Sequence, residues 1–249
     1  MRWTIFWQDW ISGKRSDMGG KSFIKRILSI AALITVPLAV VLTAAGLRWD
    51  IAAAAGAVLC CVPFFMAFEN RAPSPRELVL AAVMTAFSAA GRFIFAPIPF
   101  FKPVSAIVTI AAMYFGGQAG FMIGALSALI SNIYFGQGAW TPFQMLCWGL
   151  IGLAAGHFNK KGLLDKPVPL CVYGVISGVF FSTVMDVWTA LSAEGGAFSV
   201  ARWVAAMAAS LPITAVYCVS NAVFLLVLRK PLGKRLERLK TKYGVFGGA

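Results

Sequence analysis

Charged residues are scarce in this chain, and acidic residues are the scarcest. Only 12% of the 249 residues are charged and Asp and Glu together number 9, whereas 59% are hydrophobic. A typical soluble domain carries about twice that share of charge, so the composition excludes a soluble globular protein. It predicts an all-α polytopic membrane protein, because eight spans of about 20 residues would use most of the chain.

Histidine and cysteine are also few, and they do not form the pattern of a metal site. His157 is the only histidine, and it stands next to a lysine pair at the end of a predicted span. The five cysteines all fall within apolar runs, where they are expected to be small buried hydrophobic residues rather than disulfide partners. Paired carboxylates are lacking within the spans. We therefore predict no metal ligand and no enzymatic activity.

One short motif imitates a phosphate-binding loop. Gly20, Lys21 and Ser22 match its end, but Arg15 stands where the pattern requires a glycine. The segment that follows is a membrane span rather than the helix of a βαβ unit. The sequence thus predicts that this chain binds no ATP and no other cofactor.

Hydropathy divides the chain into a basic amphipathic interfacial segment, eight spans and a basic tail. The interfacial segment covers residues 1–26 and the tail 231–249. Two spans lie within 27–70, and six within 71–230. The predicted helices are 27–46, 51–68, 77–95, 103–116, 118–134, 141–158, 168–190 and 203–228.

The distribution of basic residues predicts the orientation. Of the 22 basic residues, all but Arg48, Arg92, Lys102 and Arg202 fall in segments on one side of the eight spans. Basic loops face the cytoplasm, so we expect both termini to be cytoplasmic in a prokaryotic cell membrane. The same rule explains the net charge of +13 without nucleic-acid binding. The leucines of the tail predict that it lies on anionic headgroups.

The richest polar stretch runs from Ser131 to Gln144, between two predicted spans. Its amides and aromatic rings suit a bulky polar organic ligand, and Thr141 is expected to cap the helix that follows. Phe95, Phe101 and Lys102 belong to a proline-rich loop that is expected to cover the cavity. Asp186 is the one acid within a span. The predicted substrate-binding residues are Asn132, Tyr134, Gln137, Trp140, Thr141, Gln144, Asp186, Phe95, Phe101 and Lys102.

Small residues recur at a spacing of four on several spans. Ala82, Ala86 and Ala90 form one such stripe, and glycine pairs repeat the spacing at 120/124, 152/156 and 174/178. Small residues let helices approach closely. From spacing alone, the alanine stripe suits either packing inside the chain or docking of a partner.

These motifs resemble those of the substrate-binding S component of energy-coupling factor (ECF) vitamin transporters. The similar features are the Arg76-Glu77-Leu78 start of the alanine-rich helix, the Phe101-Lys102-Pro103 loop, and the run from Asn132 to Met145 followed by Trp148-Gly149. The resemblance covers residues 76–230 and all six helices of that family's core. It implies a six-helix S-component core with two extra N-terminal transmembrane helices, whose role is open.

The resemblance also implies the partners and the substrate class. A separate transmembrane coupling (T) subunit and two ATPase subunits would supply the energy, and the stripe of Ala82, Ala86 and Ala90 would dock on the coupling subunit. The ligand would be a vitamin, with cobalamin-type members the most similar. Two alternatives stay open: an autonomous secondary transporter that uses Asp186 and Arg92, and a membrane partner protein without transport activity.

Overall fold

In the computed structural model, the described residues are 49–69, 73–192 and 199–245. They form helices and connecting turns without a β-strand. In chain order the helices are α1 (Trp49–Glu69), α2 (Pro75–Ile94), α3 (Val104–Phe115), α4 (Gly117–Phe135), α5 (Thr141–Lys160), α6 (Pro167–Ser192) and α7 (Val200–Tyr243). The prediction of an all-α polytopic membrane protein is confirmed.

Four of the described helices, α2, α4, α6 and α7, are long and apolar enough to cross a membrane. The helices α1 to α7 match the predicted spans from the second onward within a few residues, except that α7 continues well beyond its predicted end. The predicted interfacial segment at 1–26 and the first predicted span at 27–46 lie outside the described residues.

The short helix α3 forms the centre of the fold. Its 12 residues rise about 18 Å, less than the hydrocarbon thickness of a bilayer, and all but Met113 and Tyr114 are buried. It contacts α2, α4, α5, α6 and α7. Gly116 ends it with a φ of 88°, a value that favours glycine, so two separate helices fill 104–135.

The glycine pairs lie where helices pack most closely. A Cβ atom at Gly124 would overlap the backbone of Trp148, and one at Gly152 would overlap the backbone of Gly120. On the other side of the fold, a Cβ at Gly178 would lie 2.8 Å from the backbone nitrogen of Cys218. These glycines therefore bring α4 against α5 and α6 against α7.

The last helix extends well beyond a membrane span. At 1.5 Å per residue, the 44 residues of α7 reach about 66 Å, so the predicted span at 203–228 and most of the tail form one continuous helix. Leu236 is buried in the core cluster, with Leu232 and Leu239 packed beside it. The leucines of the tail thus contact protein, and basic residues such as Arg235 and Arg238 remain exposed.

Helix α1 packs against the outside of the α4–α5 pair. The rings of Phe64 and Phe121 stack with centroids 4.1 Å apart, and Phe64, Phe121, Cys61 and Ala125 form a small separate core. This second predicted span is therefore an integral part of the fold.

Candidate functional site

A cavity of about 290 Å³ lies between α2, α3, α5, α6, α7 and the end of α4, beside the loop that joins α2 to α3. Its volume is close to the lower end of the range for small-molecule sites. Within the described residues, its wall contains basic and aromatic side chains and no acidic one. The wall residues are Arg92, Phe100, Lys102, Val104, Ser105, Phe135, Gln144, Trp148, Phe181, Tyr217 and Asn221.

Arg92, near the end of α2, provides positive charge at this cavity. Its Nη1 donates hydrogen bonds to Ser131 Oγ at 2.6 Å and to Asn132 Oδ1 at 2.7 Å. The guanidinium carbon lies 4.5 Å from the ring centroid of Phe135 and 5.3 Å from that of Trp148. No described carboxylate pairs with Arg92, so two neutral partners and two aromatic faces hold its charge.

Asn132 links the polar groups of the Ser131–Gln144 stretch. Its side chain is fully buried, and its Nδ2 donates to Thr141 Oγ1 at 2.9 Å and to Gln144 Oε1 at 2.8 Å. Thr141 Oγ1 also donates to Gln137 Oε1 at 3.0 Å. Because every side chain of this network is hydrogen-bonded to another, the network fixes the position of Gln144 at the cavity wall.

The start of α5 differs by one residue from the predicted cap. Trp140 occupies the N-cap position without a side-chain hydrogen bond to the helix. Thr141 is the first helical residue, and its hydroxyl is already engaged by Asn132 and Gln137. The predicted capping role of Thr141 is therefore wrong, because its hydroxyl serves the turn that precedes the helix.

Aromatic rings form the apolar part of the wall. Trp148 and Phe181 stack with centroids 5.0 Å apart and an interplanar angle of 15°. The ring of Tyr217 meets Phe181 edge to face at 5.2 Å. Such surfaces favour a flat ring system, which stacks on them through offset or edge contacts.

The third wall residue with an amide or guanidinium function, after Arg92 and Gln144, is Asn221 on α7. Asn221 is 3% exposed, and its Nδ2 donates to the Gly174 carbonyl on α6 at 3.1 Å. Ser220 donates to the Lys102 carbonyl at 2.9 Å. Both contacts connect α7 to its neighbours at the level of the cavity.

Lys102 organises the loop between α2 and α3. Its ammonium donates to the carbonyl oxygens of Phe95, Ala96 and Ile98. Burial, followed by the positive charge of Arg92, lowers the pKa of Lys102 below its usual value. Phe100, in the same loop, has a φ of 59°, uncommon for a residue with a side chain, and its ring contacts Tyr217 at 5.9 Å.

The predicted binding residues divide into three groups. Gln144 and Lys102 line the cavity, and Asn132, Thr141 and Gln137 form the network behind Gln144. The remaining five do not line it. They are Tyr134, which is 74% exposed; Trp140, which packs against Trp188; Phe95 and Phe101, which pack on Phe224; and Asp186, which accepts a 2.7 Å hydrogen bond from Ser210.

Sequence reasoning did not include most of the wall. Arg92 carried a usable signal, since an ionisable group within a span marks a functional site by default. Asn221 carried a similar signal as an amide inside an apolar run. The remaining wall residues gave no signal of binding by themselves, because apolar, aromatic and small hydroxyl residues occur throughout the spans, and Trp148 stood out only within the family resemblance. They are Phe100, Val104, Ser105, Phe135, Trp148, Phe181 and Tyr217.

Residues 73–238 match the family model described as "ECF-type riboflavin transporter, S component". The matched region is about two thirds of the chain and includes all of α2 to α6 and most of α7. The chain belongs to this S-component family. It is thus a subunit of a transporter and a multi-pass membrane protein rather than an enzyme.

This S component is distantly similar to two curated proteins. It is 27% identical over 138 residues to the UPF0397 proteins of two Aliivibrio fischeri strains, MJ11 and ATCC 700601 / ES114. The alignment covers 49% of this chain and 74% of each relative. No solved structure matches the chain significantly.

The alanine stripe of this S component faces outward from the described core. Ala82 and Ala86 are exposed and Ala90 is half-buried. Larger apolar residues flank them, with Val83 56% and Phe87 44% exposed. In the described part of the chain, therefore, Ala82 and Ala86 are not used for internal packing, in contrast to the glycine pairs.

Proposed function

We propose that this chain captures a vitamin-class micronutrient and delivers it to an ATP-driven coupling module. Membership of the S-component family supports the transport role. The observation that carries the proposal is the cavity itself, which combines aromatic walls with the Arg92 guanidinium and the Gln144 and Asn221 amides. An apolar cavity with a few fixed polar groups is typical of a small-molecule site.

The same cavity favours a compact, planar nitrogen heterocycle of flavin type. The family description names riboflavin, and the faces of Trp148 and Phe181 suit stacking against a flat ring. Arg92 supplies hydrogen-bond donors and positive charge for carbonyl oxygens or an anionic edge. A ligand that carries a cationic amine would meet unfavourable charge at Arg92.

Cobalamin, the ligand expected from the sequence motifs, is the second candidate. It is supported by the resemblance of the run from Asn132 to Met145 to the motifs of cobalamin-type members. A corrin is much larger than a flavin, however, and the cavity has a volume of only about 290 Å³. The cavity volume therefore favours the smaller ligand.

Purification of the full chain in mild detergent provides the decisive experiment. We expect the protein to co-purify with a flavin, or to bind added riboflavin with quenching of its fluorescence. Mass spectrometry of the released ligand identifies it independently. A corrin absorbance spectrum would assign cobalamin instead, and no binding of either compound would refute this ligand class.

The partners are proposed to be a transmembrane coupling subunit and two ATPase subunits, with ATP bound by the ATPases alone. The S-component family supports association with such a module. In proteoliposomes that contain all four subunits, we expect uptake to require internal ATP. Uptake by this chain alone, driven by an ion gradient, would support the autonomous secondary transporter instead.

A further inference from the structure

We propose that two locked amides set the hydrogen-bonding polarity of the cavity, with Gln144 presenting an N–H donor and Asn221 presenting a C=O acceptor. This inference rests on the proposed function for its ligand but not for its geometry. Both side chains line the cavity and are at least nine-tenths buried, with Gln144 9% and Asn221 3% exposed.

The orientation of Gln144 follows from a chain of hydrogen bonds that begins at Arg92. A guanidinium only donates, so the Asn132 atom that faces it must be the oxygen, at 2.7 Å. The Asn132 nitrogen must then face Thr141 and Gln144. Since that nitrogen donates, Gln144 must turn its oxygen toward it. Gln144 Nε2 makes no hydrogen bond within the described residues and is left for the cavity.

The orientation of Asn221 follows from a different anchor. Its amide contacts the backbone carbonyl of Gly174 at 3.1 Å, and a carbonyl only accepts, so the atom that faces it must be the nitrogen. Close approach of the helices keeps this contact, because a Cβ at Gly174 would lie 3.3 Å from backbone atoms of Asn221 and Ala222. Asn221 Oδ1 is therefore left for the cavity.

The two basic residues of the wall differ in the hydrogen-bond donors that they leave for the cavity. Arg92 uses Nη1 for its two protein partners, and its other guanidinium nitrogens make no hydrogen bond among the described residues, so Arg92 adds N–H donors to the wall that also contains Gln144. Lys102 adds no free donor there, because its ammonium binds three carbonyls of its own loop. The amides and the guanidinium thus give the cavity donors at α2 and α5 and an acceptor at α7, while the hydroxyls of Ser105 and Tyr217 in the same wall can serve as either.

A matching ligand carries a C=O group that accepts from Gln144 Nε2 and an N–H group that donates to Asn221 Oδ1. The imide edge of a pyrimidinedione ring has this alternation of C=O and N–H groups. Satisfying both amides at once requires the ring in one orientation, since a mismatch would leave a buried polar group without a partner. We infer that Gln144 and Asn221 select for this pattern, while the aromatic rings select for flatness.

The first test needs no ligand. In ¹⁵N-labelled full chain, with each side-chain amide signal assigned through its substitution, we expect the Gln144 NH₂ protons to exchange with water much faster than those of Asn132 and Asn221. Protected Gln144 protons together with rapidly exchanging Asn221 protons would overturn the assigned polarity, whatever the chain transports.

The second test uses riboflavin and 3-methylriboflavin, in which a methyl group replaces the imide proton. Methylation should weaken binding to the parent chain by about tenfold or more but should have little effect on the Asn221→Ala variant. Gln144→Glu, which replaces the donor with an acceptor, should also weaken riboflavin binding by at least that factor. The control is Gln118→Ala, which should bind riboflavin as the parent does. Gln118 lies at the start of α4, whereas Asn132 and Phe135 lie at its other end.

The outcomes separate the two proposals. If the parent chain binds no riboflavin, the flavin proposal falls, and the exchange measurement still decides the polarity. If the parent binds riboflavin but methylation costs the same affinity in parent and Asn221→Ala, the acceptor role of Asn221 is refuted. Full binding by Gln144→Glu would refute the donor role of Gln144.

Discussion

At the scale of single residues, neighbours in the sequence have opposite environments. Asn132 is fully buried, whereas Tyr134, two positions later on the same helix, is 74% exposed. Successive residues on a helix point about 100° apart, so two residues in one polar motif face different surroundings. A substitution at each position therefore tests which of them serves the cavity.

Replacement of Gln144 with Leu should weaken ligand binding by about tenfold or more, because it removes a cavity donor and leaves Asn132 Nδ2 with one partner fewer. Titration of purified protein with riboflavin measures the effect. Tyr134→Ala is the matched control, since Tyr134 lies outside the cavity wall, and its affinity should stay within about twofold. Equal losses in the two variants would contradict the placement of the site.

Arg92 is expected to act in both stability and binding. Arg92→Met removes two charge-assisted hydrogen bonds and leaves the buried Asn132 Oδ1 without a donor, which costs about 1.5–3 kcal/mol. We expect a lower thermal unfolding temperature and a loss of ligand affinity. Arg92→Lys retains the charge but not the planar contact with Phe135 and Trp148, so its effect should be intermediate. Unchanged affinity in Arg92→Met would exclude Arg92 from recognition.

At the scale of elements, the small residues have two different uses. The glycines of α4 and α5 pack against the backbone of the facing helix, while Ala82 and Ala86 of α2 are exposed in the described structure. Spacing alone did not distinguish these cases, because both series repeat every four residues. The difference lies in which face of each helix meets another helix.

Gly124→Ala should destabilise the protein, because the added methyl group has no room against the Trp148 backbone. Overpacking of this kind typically costs about 1–3 kcal/mol. Thermal unfolding in detergent, followed by intrinsic fluorescence, measures the change. Ala208→Gly, at an exposed position of α7, is the control, because it measures the intrinsic difference in helix stability between glycine and alanine where no packing is involved. A variant at 124 as stable as the parent would disprove the close α4–α5 contact.

We propose that the coupling subunit docks on this alanine stripe, so Ala86→Leu should leave ligand binding intact and abolish transport, because the larger side chain would prevent its close approach to α2. Co-purification of the coupling module and ATP-dependent uptake in proteoliposomes measure the two functions. Ala208→Leu, on the exposed face of α7, adds the same volume elsewhere and should transport normally. Normal uptake and a normal complex with Ala86→Leu would rule out docking on this stripe.

At the scale of the whole molecule, the basic residues predict that both termini are cytoplasmic. In a background without the native cysteines, Gln137→Cys should react with an impermeant maleimide from outside the cell. Lys242→Cys, at an exposed position near the end of α7, should react only after permeabilisation. Both sites are exposed, so burial does not distinguish them. Labelling of position 242 in intact cells would contradict this topology.

The sequence by itself determined the membrane class and the helices from α1 to the start of α7. Hydropathy reports transfer from water to lipid, and each span carries that signal independently of its neighbours. The sequence also identified Gln144 and the Asn132 network, because a dense cluster of amides in an apolar chain is conspicuous. The motifs around these residues already indicated the S-component family.

Only the tertiary structure decided which side chains share the cavity. Arg92 and Asn221 lie on α2 and α7, far apart in sequence, and they meet because both helices pack around α3. The rotation of a helix about its axis depends on close contacts such as those at Gly124 and Gly174. Hydropathy does not encode that rotation in an apolar helix with apolar residues on every side. For the same reason, only the hydrogen bonds between helices determined which amide presents a donor to the cavity and which presents an acceptor.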